Sequence, residues 1–158
     1  KSRGDASYPM NYHPVCPMKK LIALTLAIVT LPLLAADFPK GSPKFEHSLK
    51  AVSTAAAKSG KPMVIVFSAV WCGPCQQMKK EVYPSEAVKA LHDKFEWAYL
   101  DADEESNAAA MKKFEVQGIP HIQFLSKDGK DLGSQVGSTS PEDFANTLEN
   151  TLKKAGAK

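Results

Sequence analysis

The sequence predicts an α/β fold with a central mixed sheet of four strands, made of two parallel strands and an antiparallel hairpin, with helices on both faces. Its periodic segments follow one another in the order α-β-α-β-α-β-β-α. A helix separates the first two strands, which favours a parallel pair because parallel strands need a long crossover. Only the short turn 127–130 separates the last two strands, which is typical of an antiparallel hairpin.

The first helix is predicted to begin at Pro43, with Ser42 as its N-cap. Apolar residues then recur at helical spacing, at Phe45, Leu49, Val52 and Ala56. Gly60 is expected to end this helix in a left-handed conformation. The continuous apolar run 63–67 follows, and its β-branched residues predict a central strand that is covered on both faces.

A second helix is predicted from Cys75 onward, with a kink where Pro84 interrupts it and Ser85 restarts it. Segment 95–100 is predicted to be the second strand. After an acidic loop, the alanine-rich segment 108–114 is predicted to be a helix.

The second half of the sheet is predicted to be a hairpin of strands 121–125 and 132–136. The last helix is expected to start after Ser140, which suits an N-cap, with Pro141 in its first turn. Its inward face is predicted to carry four residues, Phe144, Thr147, Leu148 and Leu152.

The beginning of the chain reads as a leader rather than as part of the fold. Residues 1–17 show no pattern and are interpreted as upstream, unstructured sequence. Residues 18–36 have the form of a secretory signal peptide, with two lysines before an uncharged apolar run and small residues for cleavage. We therefore expect one folded domain, residues 37–158, that is exported from the bacterial cytoplasm.

A membrane anchor through residues 21–36 is the alternative for this run. Crossing the hydrocarbon core takes roughly 20 apolar residues. The run has sixteen residues and contains Pro32 near its end. Cleavage is therefore the preferred interpretation.

The charge balance argues against nucleic acid as a partner. The chain has a formal net charge of +3, but the leader carries four of its cations and one anion, so that the predicted domain is neutral. The domain contains no arginine and no dense lysine stripe with interleaved aromatic residues. Recognition of phosphates or bases would need such groups.

Two of the three cysteines, Cys72 and Cys75, lie in the predicted domain, because Cys16 precedes the apolar run of the leader. A structural disulfide framework is therefore not expected. A zinc site would need two further ligands, and none of the histidines is placed at a paired spacing. We expect no metal and interpret the cysteines as a redox-active pair.

The motif Trp71-Cys72-Gly73-Pro74-Cys75, with Gly118-Ile119-Pro120 before the hairpin, resembles the thioredoxin family. The resemblance implies the thioredoxin fold and a thiol–disulfide oxidoreductase. The order of further segments, 61–62, 81–85 and 101–103, is similar to that in the C-terminal thioredoxin-like domain of the periplasmic membrane reductase DsbD.

Within this resemblance, Cys72 is expected to be the exposed nucleophile and Cys75 the resolving cysteine. The start of a helix stabilises a thiolate on Cys72, because unpaired N–H groups and the helix dipole favour negative charge there. Gly73 allows close approach of another backbone, and Pro74 fits the first turn. Trp71 is expected to cover one side of the sulfur, with core packing as its alternative role.

The resemblance also implies a cis peptide bond at Pro120, which would leave the backbone of Ile119 free to pair with an extended substrate. His121 follows this proline. Either its imidazole tunes Cys72, or it is a strand residue that points away or merely lines the groove, and we favour the second interpretation.

Two residues depart from the pattern of cytosolic thioredoxins. The buried acid that assists the resolving cysteine there falls on Val66 in this chain, and its lysine partner falls near Tyr99. General base assistance is typically worth ~10²–10⁴ in rate. Either Glu81 or Asp101 acts instead through water, or resolution is slower.

The expected function is reduction of disulfides in exported proteins, since Gly-Pro between the cysteines resembles reducing thioredoxins. This implies a monomer in the periplasm, no cofactor beyond the Cys72–Cys75 disulfide, and a membrane electron donor of the DsbD type. The alternative is a thioredoxin-fold binding module or copper metallochaperone, because copper(I) prefers soft thiolates.

Overall fold

The computed structural model describes residues 38–156. The segments interpreted as upstream sequence and signal peptide, 1–17 and 18–36, lie outside the described residues. Within residues 38–156, no helix is both long and apolar enough to cross a membrane.

A five-stranded mixed sheet forms the centre of the domain. Its strands are β1 Phe45–Glu46, β2 Met63–Ser68, β3 Glu96–Asp101, β4 His121–Leu125 and β5 Asp131–Val136. They lie side by side in the order β1-β3-β2-β4-β5. Strands β1, β2 and β3 are mutually parallel, and β2–β4 and β4–β5 are antiparallel pairs. The helices are α1 Leu49–Ser59, α2 Gly73–Gln77, α3 Glu86–Lys89, α4 Ala108–Lys113 and α5 Pro141–Ala155. Three single turns complete the order, a π-helical turn at Met78–Val82 and 3₁₀ turns at His92–Lys94 and Glu105–Asn107. The mixed α/β architecture is confirmed.

The prediction of four strands and of a helix starting at Pro43 is wrong at the beginning of the domain. Phe45 lies in the additional strand β1, where it pairs with Trp97. Its ring packs edge-on against aromatic residues of β3, with centroid distances of 6.0 Å to Trp97 and 5.5 Å to Tyr99. Helix α1 begins only at Leu49, where the Ser48 hydroxyl accepts a hydrogen bond from the N–H of Ala51. Burial of the aromatic ring thus outweighs local helix signals.

The predicted kink after the cysteine motif is confirmed, and it takes the form of a π-helical turn before Pro84. Helix α2 passes directly into the π-helical turn, where the N–H of Tyr83 donates to the carbonyl of Met78 over 3.0 Å. Pro84 follows and cannot donate a backbone hydrogen bond. Helix α3 then starts with Ser85 as its N-cap.

Strand β2 divides the core into two clusters, because alternate side chains point to opposite faces of the sheet. On one face, Val64 and Val66 pack with residues of the π-helical turn and α5, including Met78 and Phe144. On the other face, Ile65 and Phe67 pack with residues of α1 and α4. Every residue of β2 is buried, so the strand is a rigid support for the loop that follows it.

Strand β5 forms the outer edge of the sheet and is mostly exposed. A bulge lies where it pairs with the end of β4, and Gly133 has a positive φ of 119°. The ammonium of Lys154, from α5, donates to the carbonyl of Leu132 over 3.1 Å.

Candidate active site

The two cysteines lie in the first turn of α2 and form a disulfide, with an S–S distance of 2.03 Å. Cys72 is the N-cap of the helix, and its Sγ accepts a hydrogen bond from the N–H of Cys75 over 3.2 Å. The expectation that Cys72 is exposed is wrong for the oxidised protein, where 5% of it is accessible against 1% of Cys75. The difference between them still has the predicted direction.

The backbone between β2 and α2 makes a tight turn that fixes the dithiol. The carbonyl of Ala69 accepts hydrogen bonds from the N–H of Cys72 (3.2 Å) and from Nε2 of Gln76 (3.1 Å). Pro74 occupies the first turn of the helix, where the lack of an N–H costs no hydrogen bond. These bonds therefore hold the two cysteines at one defined position just beyond the end of β2.

Trp71 lies on the surface next to the disulfide, with 68% of the residue exposed. Its indole Nε1 donates to Oδ2 of Asp103 over 2.7 Å. The loop carrying Asp103 is held in turn, because the N–H of Asp103 donates to Oδ1 of Asp101 over 2.9 Å. The alternative that Trp71 is a core residue is thus wrong.

The loop before β4 lies against the disulfide. The peptide bond between Ile119 and Pro120 is cis, as predicted. The carbonyl oxygen of Ile119 lies 3.6 Å from Sγ of Cys72, and its side chain packs against the cysteine cluster. Gly118 precedes this pair, and the carbonyl of Pro120 accepts from the N–H of Gly137 over 2.8 Å.

Neither of the two positions that depart from the thioredoxin pattern carries an acid or a lysine. Val66 is fully buried and pairs with Tyr99 across the parallel strands. The phenol of Tyr99 is hydrogen-bonded to the hydroxyl of Ser68. Burial raises the pKa of Tyr99, the bond to Ser68 opposes this, and the charge of Asp101 adds to it. The phenol is therefore neutral at neutral pH.

The two carboxylates considered as substitutes have other partners. Glu81 is exposed and accepts a hydrogen bond from Nε2 of Gln77 over 3.2 Å on the helix surface. Asp101 accepts the backbone N–H of Asp103.

His121 points to the face of the sheet opposite Val66. Its ring packs edge-on against Phe67 at a centroid distance of 5.9 Å, whereas the next residue, Ile122, packs on the side of Val66. It is 4% exposed, and Nε2 lies 3.4 Å from Oε1 of Gln123. This geometry supports the interpretation of His121 as a strand residue that points away.

Sequence reasoning missed two polar residues near the dithiol, Ser68 and Asp103. Ser68 follows the apolar run of β2 without any signal of its own, and its partner Tyr99 is on another strand. Asp103 was visible only as one member of an acidic loop. Among the described residues no group of three His, Cys, Asp or Glu side chains is placed to hold a metal ion.

A buried central strand followed by a disulfide-forming Cys-Gly-Pro-Cys turn defines a thiol–disulfide oxidoreductase. A profile of the thioredoxin-like domain matches residues 49–152. The chain therefore belongs to the thioredoxin-like family.

Its relatives include chloroplast and bacterial proteins. It is 33% identical over 100 residues to a chloroplastic thioredoxin-like protein, HCF164, of Oryza sativa subsp. japonica, covering 63% of this chain and 36% of the relative. It is 32% identical over 100 residues to a thioredoxin of Mycolicibacterium smegmatis, covering 63% of this chain and 87% of the relative. The chain thus spans about a third of the length of its chloroplast relative.

Two solved structures show the same fold. A thioredoxin from Thermus thermophilus superposes with a TM-score of 0.66 at 24% identity, covering 73% of this chain and 91% of the other. The oxidised C-terminal domain of DsbD from Neisseria meningitidis gives a TM-score of 0.58 at 21% identity, with 68% and 99% covered. These likenesses confirm the thioredoxin fold.

Proposed function

We propose that this protein reduces disulfide bonds of exported proteins through Cys72 and Cys75. The observation that carries the proposal is the position of Cys72, at the start of α2 and beside the carbonyl of Ile119. One side of this sulfur is stabilised by backbone N–H donation, and the other side faces a backbone that can pair with an extended segment.

The reaction consists of two thiol–disulfide exchanges. The thiolate of Cys72 attacks one sulfur of the substrate disulfide, so that a mixed disulfide forms and the other substrate sulfur leaves as a thiolate. Cys75 then attacks Cys72, which forms the Cys72–Cys75 disulfide and releases the second substrate thiolate. The two thiol protons of the protein pass to the substrate thiolates, directly or through solvent, and the substrate leaves as a dithiol.

Exposed apolar side chains around the dithiol suit a protein substrate. The large hydrophobic residues exposed within 38–156 are Val70, Trp71 and Val136. The first two directly precede Cys72. Val136 pairs with His121 on the neighbouring strand, next to the loop of Pro120. An extended polypeptide bound at Ile119 would cover apolar surface on both sides.

The uncharged Gly73-Pro74 pair favours reduction over oxidation. Reduction in an oxidising compartment requires a supply of electrons, for which we propose a membrane donor of the DsbD type. We propose that the protein works as a monomer in the periplasm, with the Cys72–Cys75 disulfide as its one redox group. The leader pattern and the fold shared with the DsbD domain support this location.

Equilibration with glutathione tests the direction of the reaction. We expect a reduction potential near that of thioredoxin, about −270 mV, and a value near that of DsbA, about −120 mV, would reverse the proposal. The substrates can be identified with the Cys75→Ser variant, which cannot resolve the mixed disulfide. The Cys72→Ser variant is the matched control, since it should trap nothing.

A further inference from the structure

Ser68 is a buried polar residue at the end of β2 that the reaction above does not use. It is fully buried, and its hydroxyl is hydrogen-bonded to the phenol of Tyr99 on β3. Successive residues of a strand point to opposite faces, so Ser68 shares the face of Val64 and Val66. This is the face on which the π-helical turn packs, through Met78 and Val82.

The helical segment that packs on this face follows directly after the resolving cysteine in the chain. Cys75 and Met78 are both buried and lie three residues apart, so they share one side of the helix. Met78 packs in the cluster that contains Val66, and Ala69 packs against both cysteines. Ser68 is therefore the next residue after Val66 on this face of β2, and it lies four residues before Cys72 in the chain.

The pair of hydroxyls retains a hydrogen to donate. Two hydroxyls carry two hydrogens, and the bond between them uses one. The ring of Tyr99 is held in place by Phe38 and Phe45, at centroid distances of 4.9 and 5.5 Å. Because these contacts fix the phenol, Tyr99 holds the Ser68 hydroxyl in position without bringing a negative charge near the sulfurs.

We propose that Ser68, positioned by Tyr99, donates a hydrogen bond to Cys75 when its sulfur becomes negative in the resolving step. The hydroxyl pair would thus stabilise the Cys75 thiolate beside Val66, a position without an ionisable group. In this step the Cys75–Cys72 bond forms, the bond between Cys72 and the substrate breaks, and the substrate sulfur takes the electron pair. The proton of the Cys75 thiol passes to solvent as this sulfur becomes negative, and the hydroxyl pair gains and loses no net proton. The inference rests on the proposed order of attack by Cys72 and Cys75.

Reaction of the reduced protein with Ellman's reagent separates the two steps. Attack by Cys72 releases the first coloured thiolate, and resolution by Cys75 releases the second. We expect Ser68→Ala and Tyr99→Phe to slow the second release by roughly 10- to 100-fold, the equivalent of one hydrogen bond to a charged atom, and to leave the first release unchanged. Ser68→Thr keeps the hydroxyl and should restore the rate.

Tyr83→Phe is the matched control, because it removes a phenol hydroxyl from the aromatic cluster against which Tyr99 packs. It should change neither release. A second release at the wild-type rate in Tyr99→Phe would overturn the proposal, as would equal slowing in Tyr83→Phe. Tyr99→Phe decides the question alone if Ser68→Ala does not fold. Since the reagent is not a physiological substrate, the result is independent of whether the protein reduces or oxidises in the cell.

Discussion

The two tyrosines of the larger core cluster predict opposite effects of the same chemical change. Tyr83 is buried, and its hydroxyl has no hydrogen-bond partner among residues 38–156. Its ring contacts Phe45 and Phe144 at centroid distances of 5.9 and 5.8 Å. The substitution Tyr83→Phe keeps these ring contacts and removes only the hydroxyl.

The size of the effect follows from the cost of an unpaired polar group. A buried hydroxyl without a partner costs about 1–3 kcal/mol, so we expect Tyr83→Phe to raise the free energy of unfolding by about 1 kcal/mol or more. Tyr99→Phe instead leaves the buried hydroxyl of Ser68 without its partner. We expect this variant to lose about 1–2 kcal/mol.

Urea unfolding of both oxidised variants, followed by circular dichroism, measures this difference. The disulfide must be intact in every sample, so that only the hydroxyl differs. If Tyr83→Phe is destabilised, the hydroxyl has a partner and the reasoning is refuted. The same holds if both variants shift in the same direction.

The pH dependence gives a second measure of the same residue. Burial, followed by the nearby Tyr99, raises the pKa of Tyr83 above its ordinary value of 10.0. The folded state therefore holds the phenol proton more tightly than the unfolded state. The tighter binding of this proton favours the folded state in full below about pH 10. This advantage is lost as the pH rises above that value, and the free energy of unfolding falls. Tyr83→Phe should lose less stability between neutral and strongly alkaline pH than the wild type.

Four further substitutions test the site and its support. Asp103→Ala removes the acceptor of the Trp71 indole. We expect the KM for a protein disulfide to rise several-fold, which corresponds to the free energy of roughly one hydrogen bond. The free energy of unfolding should stay unchanged. Ser48→Ala should lower the free energy of unfolding by about 1 kcal/mol, whereas Ser42→Ala should not show the loss of a helix cap, and thermal melts distinguish them. His121→Ala should leave the alkylation rate of the attacking cysteine unchanged at every pH, because the imidazole faces away, and a shifted pH profile would contradict this orientation.

Much of the fold could be predicted from the sequence, because its strongest signals are local. The apolar run of β2, the hairpin turn before β5 and the Ser140-Pro141 start of α5 each carry their own pattern. The two-residue strand β1 has no periodic signal of its own. Phe45 also happens to lie at helical spacing from Leu49, so that only the aromatic residues of β3 decide its conformation.

The candidate site likewise has parts that the sequence predicts and a contact that it does not predict. The cysteines, Pro74 and the cis bond of Pro120 follow from short motifs in the chain. The bond between Ser68 and Tyr99 joins residues 31 positions apart and exists only once β2 and β3 pair in register. No local pattern in one sequence reports such a contact.

The outer edge of the sheet also bears on how this domain meets other chains. An exposed edge strand is a template for pairing with another strand, which is a route to aggregation. In β5 the bulge, the positive φ of Gly133 and the ammonium of Lys154 on the carbonyl of Leu132 interrupt that template. Edge-to-edge association through β5 is therefore disfavoured, while the backbone of Ile119 beside the dithiol stays suited to pairing with an extended chain.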